Sequence, residues 1–275
     1  MKELSKYEKE VMDYFSGKAK DYDDVEKQSY WRLSDRLLWS LIQEQLSKLQ
    51  SDFHFLDAGG GTGRWSKKIL ENYPKSTGVL VDFSDKMMDE AIKKNVFGER
   101  WKVIIGNIQK LNFDDNTFDL VINTHNVLGF VEDTEKALVE MSRVLKKKGI
   151  LISVVPNVYH GAFFNLFQSN IVGAKRLITC HKGKFVNNMP ELNMFTPLSI
   201  KNLYKKAGIL SPTCFGFPIL IYPGYQETQL HGETKEIADF ISINFDKLYE
   251  LELKCIKDEE CSARGNNIFI FGLKE

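Results

Sequence analysis

The sequence predicts an α/β fold built on a mostly parallel sheet with helices on both faces. Three observations carry that prediction. Short strand-like runs alternate with helical ones between residues 53 and 155, the rhythm that produces a parallel sheet. The runs are continuous and apolar, as in Ile150-Leu-Ile-Ser-Val-Val, which suits strands covered on both sides. The first run ends in a cluster of glycines followed at once by a helical pattern, the place where open α/β sheets bring their backbone closest to a ligand.

In chain order, the first fifty residues read as helix. Leu37, Leu38, Leu41, Ile42 and Leu46 recur at helical spacing, and Gln43, Glu44 and Lys48 give the polar face. Phe53 to Ala58 is the first strand and Arg64 to Asn72 the helix after it. Further strands are expected at Gly78–Asp82, Trp101–Gly106, Phe118–Asn123 and Gly149–Val155, with helices at Asp85–Lys94 and Thr134–Lys147. Beyond Pro156 the rhythm loosens. Tyr159 to Ile178 is rich in Phe, Leu and Ile; Pro197–Ala207 and Gly232–Lys254 read as helical; and Asn267-Ile-Phe-Ile-Phe-Gly-Leu-Lys is a last strand. No Pro/Ser/Gly-rich linker or internal repeat divides the chain. The expected organisation is a single domain over 1–275: N-terminal helices (1–50), a ligand-binding core (51–156), a cap insertion (157–195), and the rest of the sheet with a helical insertion (196–275).

Lys plus Arg and Asp plus Glu each number 37, so no broad cationic field is available to grip nucleic acid. No apolar run is long enough to span a bilayer, and Met1-Lys-Glu-Leu-Ser-Lys lacks an apolar signal core. Cys180, Cys214, Cys255 and Cys261 form no C-x-x-C pair and no zinc spacing with His181 or His231. The expectation is a cytoplasmic protein with reduced thiols, no metal, no nucleic-acid or membrane partner, acting as a monomer or homodimer.

The glycine loop reads Phe55-Leu-Asp57-Ala58-Gly59-Gly-Gly61-Thr-Gly63-Arg64-Trp65. A dinucleotide fingerprint, G-x-G-x-x-G, wants a glycine where Arg64 stands. Asp57, just ahead of the loop, repels a pyrophosphate and suits an ammonium group. An adenosyl amino acid fits these residues better than a dinucleotide does. Val79-Leu-Val-Asp82-Phe83-Ser84 then closes a second strand on an acid, whose two oxygens both accept hydrogen bonds and so match a vicinal diol.

In this order the pieces resemble the motifs of the class I S-adenosylmethionine-dependent methyltransferases of the small-molecule type. D-A-G-G-G-T-G resembles the first motif, Asp82 the ribose-binding acid, and Gly106-Asn107-Ile108 through Phe118-Asp119-Leu-Val the stretch written GDAxxLPFxDxxFDLV. Asn107 stands where the family has Asp on the adenine amino group. Arg143-Val-Leu-Lys-Lys-Lys-Gly149 resembles the RVLKPGG turn, with Lys in place of Pro and the first Gly. Ala19-Lys-Asp-Tyr22-Asp resembles AxxYD, whose Tyr folds over the cofactor. The resemblance covers residues 15 to 155 closely and implies a Rossmann-like, seven-stranded sheet with its last strand antiparallel and a helical cap. It implies S-adenosyl-L-methionine as cofactor, held by Tyr22, Tyr30, Arg36, Asp57, Ala58, Gly59, Gly61, Gly63, Asp82, Phe83, Met87, Asn107, Ile108, Asn123, Thr124 and His125, with Arg36 on the methionine carboxylate.

His125 and His160 are the candidate bases, since a base is needed where the methyl acceptor loses a proton. Asn123-Thr-His-Asn departs from the N-P-P-Y signature, which counts against exocyclic base amines and glutamine amides. Trp31, Asn157, Tyr159, Phe163, Phe167, Tyr222 and Tyr225 are the candidate substrate pocket. The acceptor reading placed first is an oxygen or nitrogen of a small molecule or natural product. A peptide amino terminus and a carbon of a quinone-like ring come next, and a catalytically inactive cofactor-binding module is the reading from another class.

Overall fold

The computed structural model describes residues 4–221 and 235–275. Its elements, in chain order, are α1 (Lys6–Lys18), a 3₁₀ turn (Tyr22–Lys27), α2 (Ser29–Leu46), β1 (His54–Ala58), α3 (Arg64–Asn72), β2 (Thr77–Asp82), α4 (Asp85–Lys93), β3 (Trp101–Ile105), β4 (Phe118–Asn123), α5 (Thr134–Val144) and β5 (Leu145–Pro156). These are followed by α6 (Val158–Phe167), α7 (Ile171–Cys180), the two-residue strands β6 (Lys182–Gly183) and β7 (Leu192–Asn193), α8 (Pro197–Lys206), β8 (Ile209–Phe217), α9 (Lys235–Ile243), α10 (Phe245–Ile256) and β9 (Asn267–Lys274).

The main sheet has seven strands in the order β3-β2-β1-β4-β5-β9-β8. Five run parallel from β3 to β5. β9 is antiparallel to both β5 and β8, so it is the one reversed strand. The order turns back between β1 and β4, and that reversal opens a crevice beyond the carboxyl ends of both strands.

Strand alternation divides the core in two. Phe55, Leu120, Ile122, Ile150, Ile152, Val154 and Phe269 face α2, α3, α9 and α10. Leu56, Val121, Leu151, Val155, Ile268 and Ile270 face α5 and α8. Successive side chains of one strand thus belong to opposite cores, as a period of two requires. A third apolar cluster joins α6 and α7 to Met189, Leu192 and Met194, with Tyr14 of α1 and Phe130 packed against it. This small core is built on α6, which begins where β5 ends.

Three elements depart from the sequence reading. The N-terminal helical stretch breaks at Ala19–Gln28 into the 3₁₀ turn that presents Tyr22. The helix expected to reach Lys147 stops at Val144. Leu145 already pairs with Phe118, and Lys148 takes a left-handed φ of 62° that the strand accommodates as an irregularity. β8 has no counterpart in the reading, because Pro212 and Gly216 interrupt its alternation and because a register shift separates Leu210 from Thr213. No helix among the described residues is long and apolar enough to cross a membrane.

Candidate active site

The glycine loop leaves β1 and is folded back on β2: Gly59 N–H donates to the Val81 carbonyl at 2.7 Å. Two of its glycines are required sterically. Gly59 has φ +79°, and a Cβ there would sit 2.5 Å from Val127. Gly63 has φ +78°, caps α3, and a Cβ would strike the Trp101 ring at 2.5 Å. The loop therefore lies tight against its own fold while its other side stays open.

That open side is a cleft lined from the glycine loop, β2, α1 and the loops after β3 and β4. Its floor is Gly59, Gly61 and Thr124; its polar wall is Asp82; Phe83, Met87 and Ile108 give the apolar side; Tyr22 and His125 close one end. The Asp82 carboxylate accepts from Gly61 N–H and Ser84 N–H, both at 2.9 Å, which ties β2 to the loop. Burial pushes its carboxyl above the usual range, and those backbone donors pull it back.

Other expected cofactor residues lie behind the cleft wall. Ala58 is buried and its carbonyl accepts from Asn123 Nδ2. Asp57 sits under Gly60 and accepts from Ser66 Oγ at 2.6 Å, while its Oδ1 is buried with no hydrogen-bond partner. Burial and the nearby Asp82 raise its carboxyl to about 6, against the Ser66 bond. Tyr30 is fully buried with its hydroxyl accepting from Asn266 Nδ2 at 2.6 Å.

Arg36 is turned away from the cleft. Its guanidinium pairs with Asp246 at 2.6 Å and lies 4.0 Å over the Tyr249 ring, on the face of α2 that meets α10. The arginine that lines the cleft is Arg64, and its guanidinium is held by Glu26 (2.7 Å) and Asp35. Thr62 Oγ donates to Asp23 at 2.6 Å, and Lys94 reaches both Asp23 and the Thr62 carbonyl. These ties fasten the 3₁₀ turn and α2 to the glycine loop.

A second cavity adjoins the first. Phe15, Tyr22, His125 and Phe130 line both and form the partition between them. Beyond it the walls are aromatic, with Tyr14, Trp31, Phe164 and Phe185, and the polar groups are His160, Asn126, Asn266 and Asn267. Asn126, at φ 66°, has a buried Oδ1 with no hydrogen-bond partner. Among the described residues the lining carries no acidic side chain and no Lys or Arg.

Burial holds both imidazoles well below the usual histidine range. Burial pushes His125 down to about 3, with Arg64 adding to the effect, and burial alone pushes His160 down to about 4. Trp65 Nε1–H donates to His125 Nε2 at 2.6 Å. A neutral ring that accepts at Nε2 carries its proton on Nδ1, so His125 is a donor and its acceptor nitrogen is already engaged. His160 projects from α6 into the second cavity beside Phe164 and Phe185.

Of the expected substrate residues, Trp31 lines this cavity. Asn157 is buried as a structural bracket, donating to the Ala263 and Gly265 carbonyls and capping α6. Tyr159, Phe163 and Phe167 lie on the outer face of α6, 47%, 48% and 55% exposed, so they do not form the pocket. Tyr222 and Tyr225 lie outside the described residues. The sequence reading missed Glu8, Val11 and Phe15, which α1 contributes to the first cleft. Their signal was the spacing i, i+3, i+7 on one helical face.

Residues 56–153 match the family described as Methyltransferase domain. The chain is 32% identical over 175 residues to an uncharacterized protein of Methanocaldococcus jannaschii, covering 63% of each chain. It is 30% identical over 146 residues to the malonyl-[acyl-carrier protein] O-methyltransferase of Legionella pneumophila, covering 52% of this chain and 48% of that one. The chain thus spans about half to two thirds of the length of these relatives. A Thermotoga maritima structure described as a SAM-dependent methyltransferase, possible histamine N-methyltransferase, superposes with a TM-score of 0.60 at 20% identity. The superposition covers 96% of this chain and all of that one, and at that identity the likeness is one of fold.

Proposed function

We propose that the chain is a class I S-adenosylmethionine-dependent methyltransferase and that it transfers the methyl group to an oxygen or nitrogen of an uncharged small molecule held in the second cavity. The observation that carries this reading is the shared partition: a glycine-loop cleft and an aromatic, uncharged cavity meet across Phe15, Tyr22, His125 and Phe130.

The first cleft fits S-adenosylmethionine on its own chemistry. The Asp82 carboxylate, 8% exposed at the cleft wall, keeps lone pairs for a ribose diol beyond the two backbone bonds it accepts. Phe83, Met87 and Ile108 give a flat apolar slot for a purine. The unpartnered Asp57 Oδ1 leaves a buried acid under the loop that an ammonium group offsets. When bound, this cofactor supplies an already activated methyl group. The chain's own residues have three tasks: to align the acceptor, exclude water and take up a proton where the acceptor loses one. The partition aligns, the packed aromatic walls exclude water, and His160, which lines the second cavity, is the proton acceptor in this reading. Asn126 Oδ1 offers a fixed acceptor to a hydroxyl or amino group on the substrate.

Among the described residues the lining is uncharged, which favours neutral phenols and aromatic amines over a peptide amino terminus, a cation at pH 7 that a buried acid would stabilise. Incubation with methyl-labelled cofactor and a panel of phenols, aromatic amines, hydroquinones and short peptides tests this. Label is expected on the neutral ring compounds. Label confined to peptides, or cofactor binding with no transfer to any class, would overturn the reading.

The Asp57 carboxyl gives a pH signature for the cofactor. An ammonium-bearing ligand favours the ionised acid, so affinity should rise as pH increases through about 6 and fall below it. Calorimetry with S-adenosylhomocysteine from pH 5 to 8 should show that step in the native protein and its loss in Asp57→Asn. A step that survives in Asp57→Asn assigns it to another group.

A further inference from the structure

The adenine end of the cleft is built differently from what the sequence implies. Asn107 was expected to accept from the adenine amino group, yet its carbonyl oxygen is turned inward, accepting from Gln109 N–H at 2.8 Å. What Asn107 presents outward is its amide N–H, and that donates to Glu8 Oε1 at 2.7 Å. An amide donor does not receive an amino group. The acceptor on this rim is the carboxylate of Glu8, which lines the cleft from α1 beside Val11.

The carboxylate is held in place from both sides. Its Oε2 accepts from Ser5 N–H at 2.9 Å while Ser5 Oγ accepts from Glu8 N–H at 3.0 Å, a capping box that fixes the first turn of α1. Its Oε1 receives Asn107 and, at 3.3 Å, Gln109 Nε2, so three of the carboxylate's four lone-pair sites are taken and the one left for a ligand is on Oε2. The same helix continues into the partition and the second cavity through Phe15 and Tyr14. Val11 is its only buried residue, and much of its remaining attachment is polar: Tyr7 to the Glu191 carbonyl (2.5 Å), Ser5 to Glu132 (2.5 Å) and Ser16 to Ser84 (2.9 Å). A helix so lightly buried is an element of low local stability.

We propose that Glu8 reads the adenine amino group, and that cofactor binding thereby docks α1 and completes the wall of the acceptor cavity. The inference rests on the cofactor assignment above. It makes α1 the link between the two cavities: its first turns touch the cofactor and its last turns touch the acceptor, so cofactor binds first and the acceptor second.

Calorimetry with S-adenosylhomocysteine and with its analogue carrying hypoxanthine in place of adenine tests the reading without turnover. A carboxylate accepts from the 6-amino group and repels the 6-oxo group, so the native protein should prefer adenine by roughly 10- to 100-fold. Glu8→Ala should bring that ratio close to unity. Ser5→Ala also breaks the capping box but keeps the carboxylate, so it should retain the preference even where overall affinity falls. Hydrogen exchange of residues 5–16 should slow on adding S-adenosylhomocysteine to the native protein and not to Glu8→Ala. A Glu8→Ala protein that still prefers adenine overturns the role of Glu8, and unchanged exchange in the native helix overturns the coupling. A native protein that binds neither compound overturns the cofactor assignment itself, and the inference with it.

Discussion

Asp82→Ala should reduce affinity for S-adenosylhomocysteine by about 3 kcal/mol or more, roughly 100-fold. The carboxylate has two duties at the end of β2. Toward the cleft it is the acid available to a ribose diol, and toward the protein it accepts from Gly61 and Ser84 N–H at 2.9 Å each. Alanine removes the ligand contact and leaves both backbone donors without their acceptor, so the glycine loop loses its anchor at the same time. Asp82→Asn separates the two losses, since it keeps one acceptor oxygen and places a donor where the other stood. Its affinity should fall between the native and alanine values. Calorimetry measures both, and a melting curve of each variant without ligand shows how much of the loss is loop disorder. An Asp82→Ala protein with native affinity would mean that the ribose lies elsewhere.

The residues legible in the sequence are those whose geometry is set by neighbours in the chain. The glycine loop is one: strand, tight turn and helix follow within ten residues, so spacing alone places Gly59, Gly61 and Gly63. Asp82 is another, because a strand that ends in an acid presents it at the sheet edge where the crevice opens. What failed depended on helix rotation. Arg36 and Phe163 were judged on position along a helix, yet one turns toward Asp246 and the other toward solvent. A helical face spans only a few residues per turn, and which of them points inward is decided by packing against elements far away in sequence. Glu8 shows the same limit from the other direction. In a Lys- and Glu-rich helix it reads as surface, and only the fold carries it to Asn107, 99 positions away. β8 was hidden for a different reason: an edge strand with Pro212 and a shifted register loses the alternation by which strands are recognised.

Glu252→Ala is expected to cost the largest share of stability of any single carboxylate change here, about 3–5 kcal/mol. Glu252 lies on α10 and is fully buried, and its bonded partners among the described residues include no Lys or Arg. Its carboxyl accepts from three backbone donors: Ile219 N–H at 2.7 Å, and Leu220 and Ile221 N–H at 2.8 Å each. These three consecutive amides leave β8 immediately after Pro218 and have no strand partner among the described residues, so a carboxylate stands in for the ladder. The segment matters for the site as well, because the Pro218 carbonyl accepts from Asn266 N–H, and Asn266 lines the second cavity while holding the Tyr30 hydroxyl. Alanine strips three buried donors at once and leaves a void on α10, whereas Glu252→Gln keeps the shape and one acceptor oxygen but turns an amide donor toward a backbone donor. The glutamine variant should therefore lose less, about 1–2 kcal/mol. Urea unfolding followed by circular dichroism measures both. If the alanine variant unfolds within 1 kcal/mol of the native protein, roughly the worth of one ordinary hydrogen bond, the three amides are satisfied by water and the segment is not held by α10.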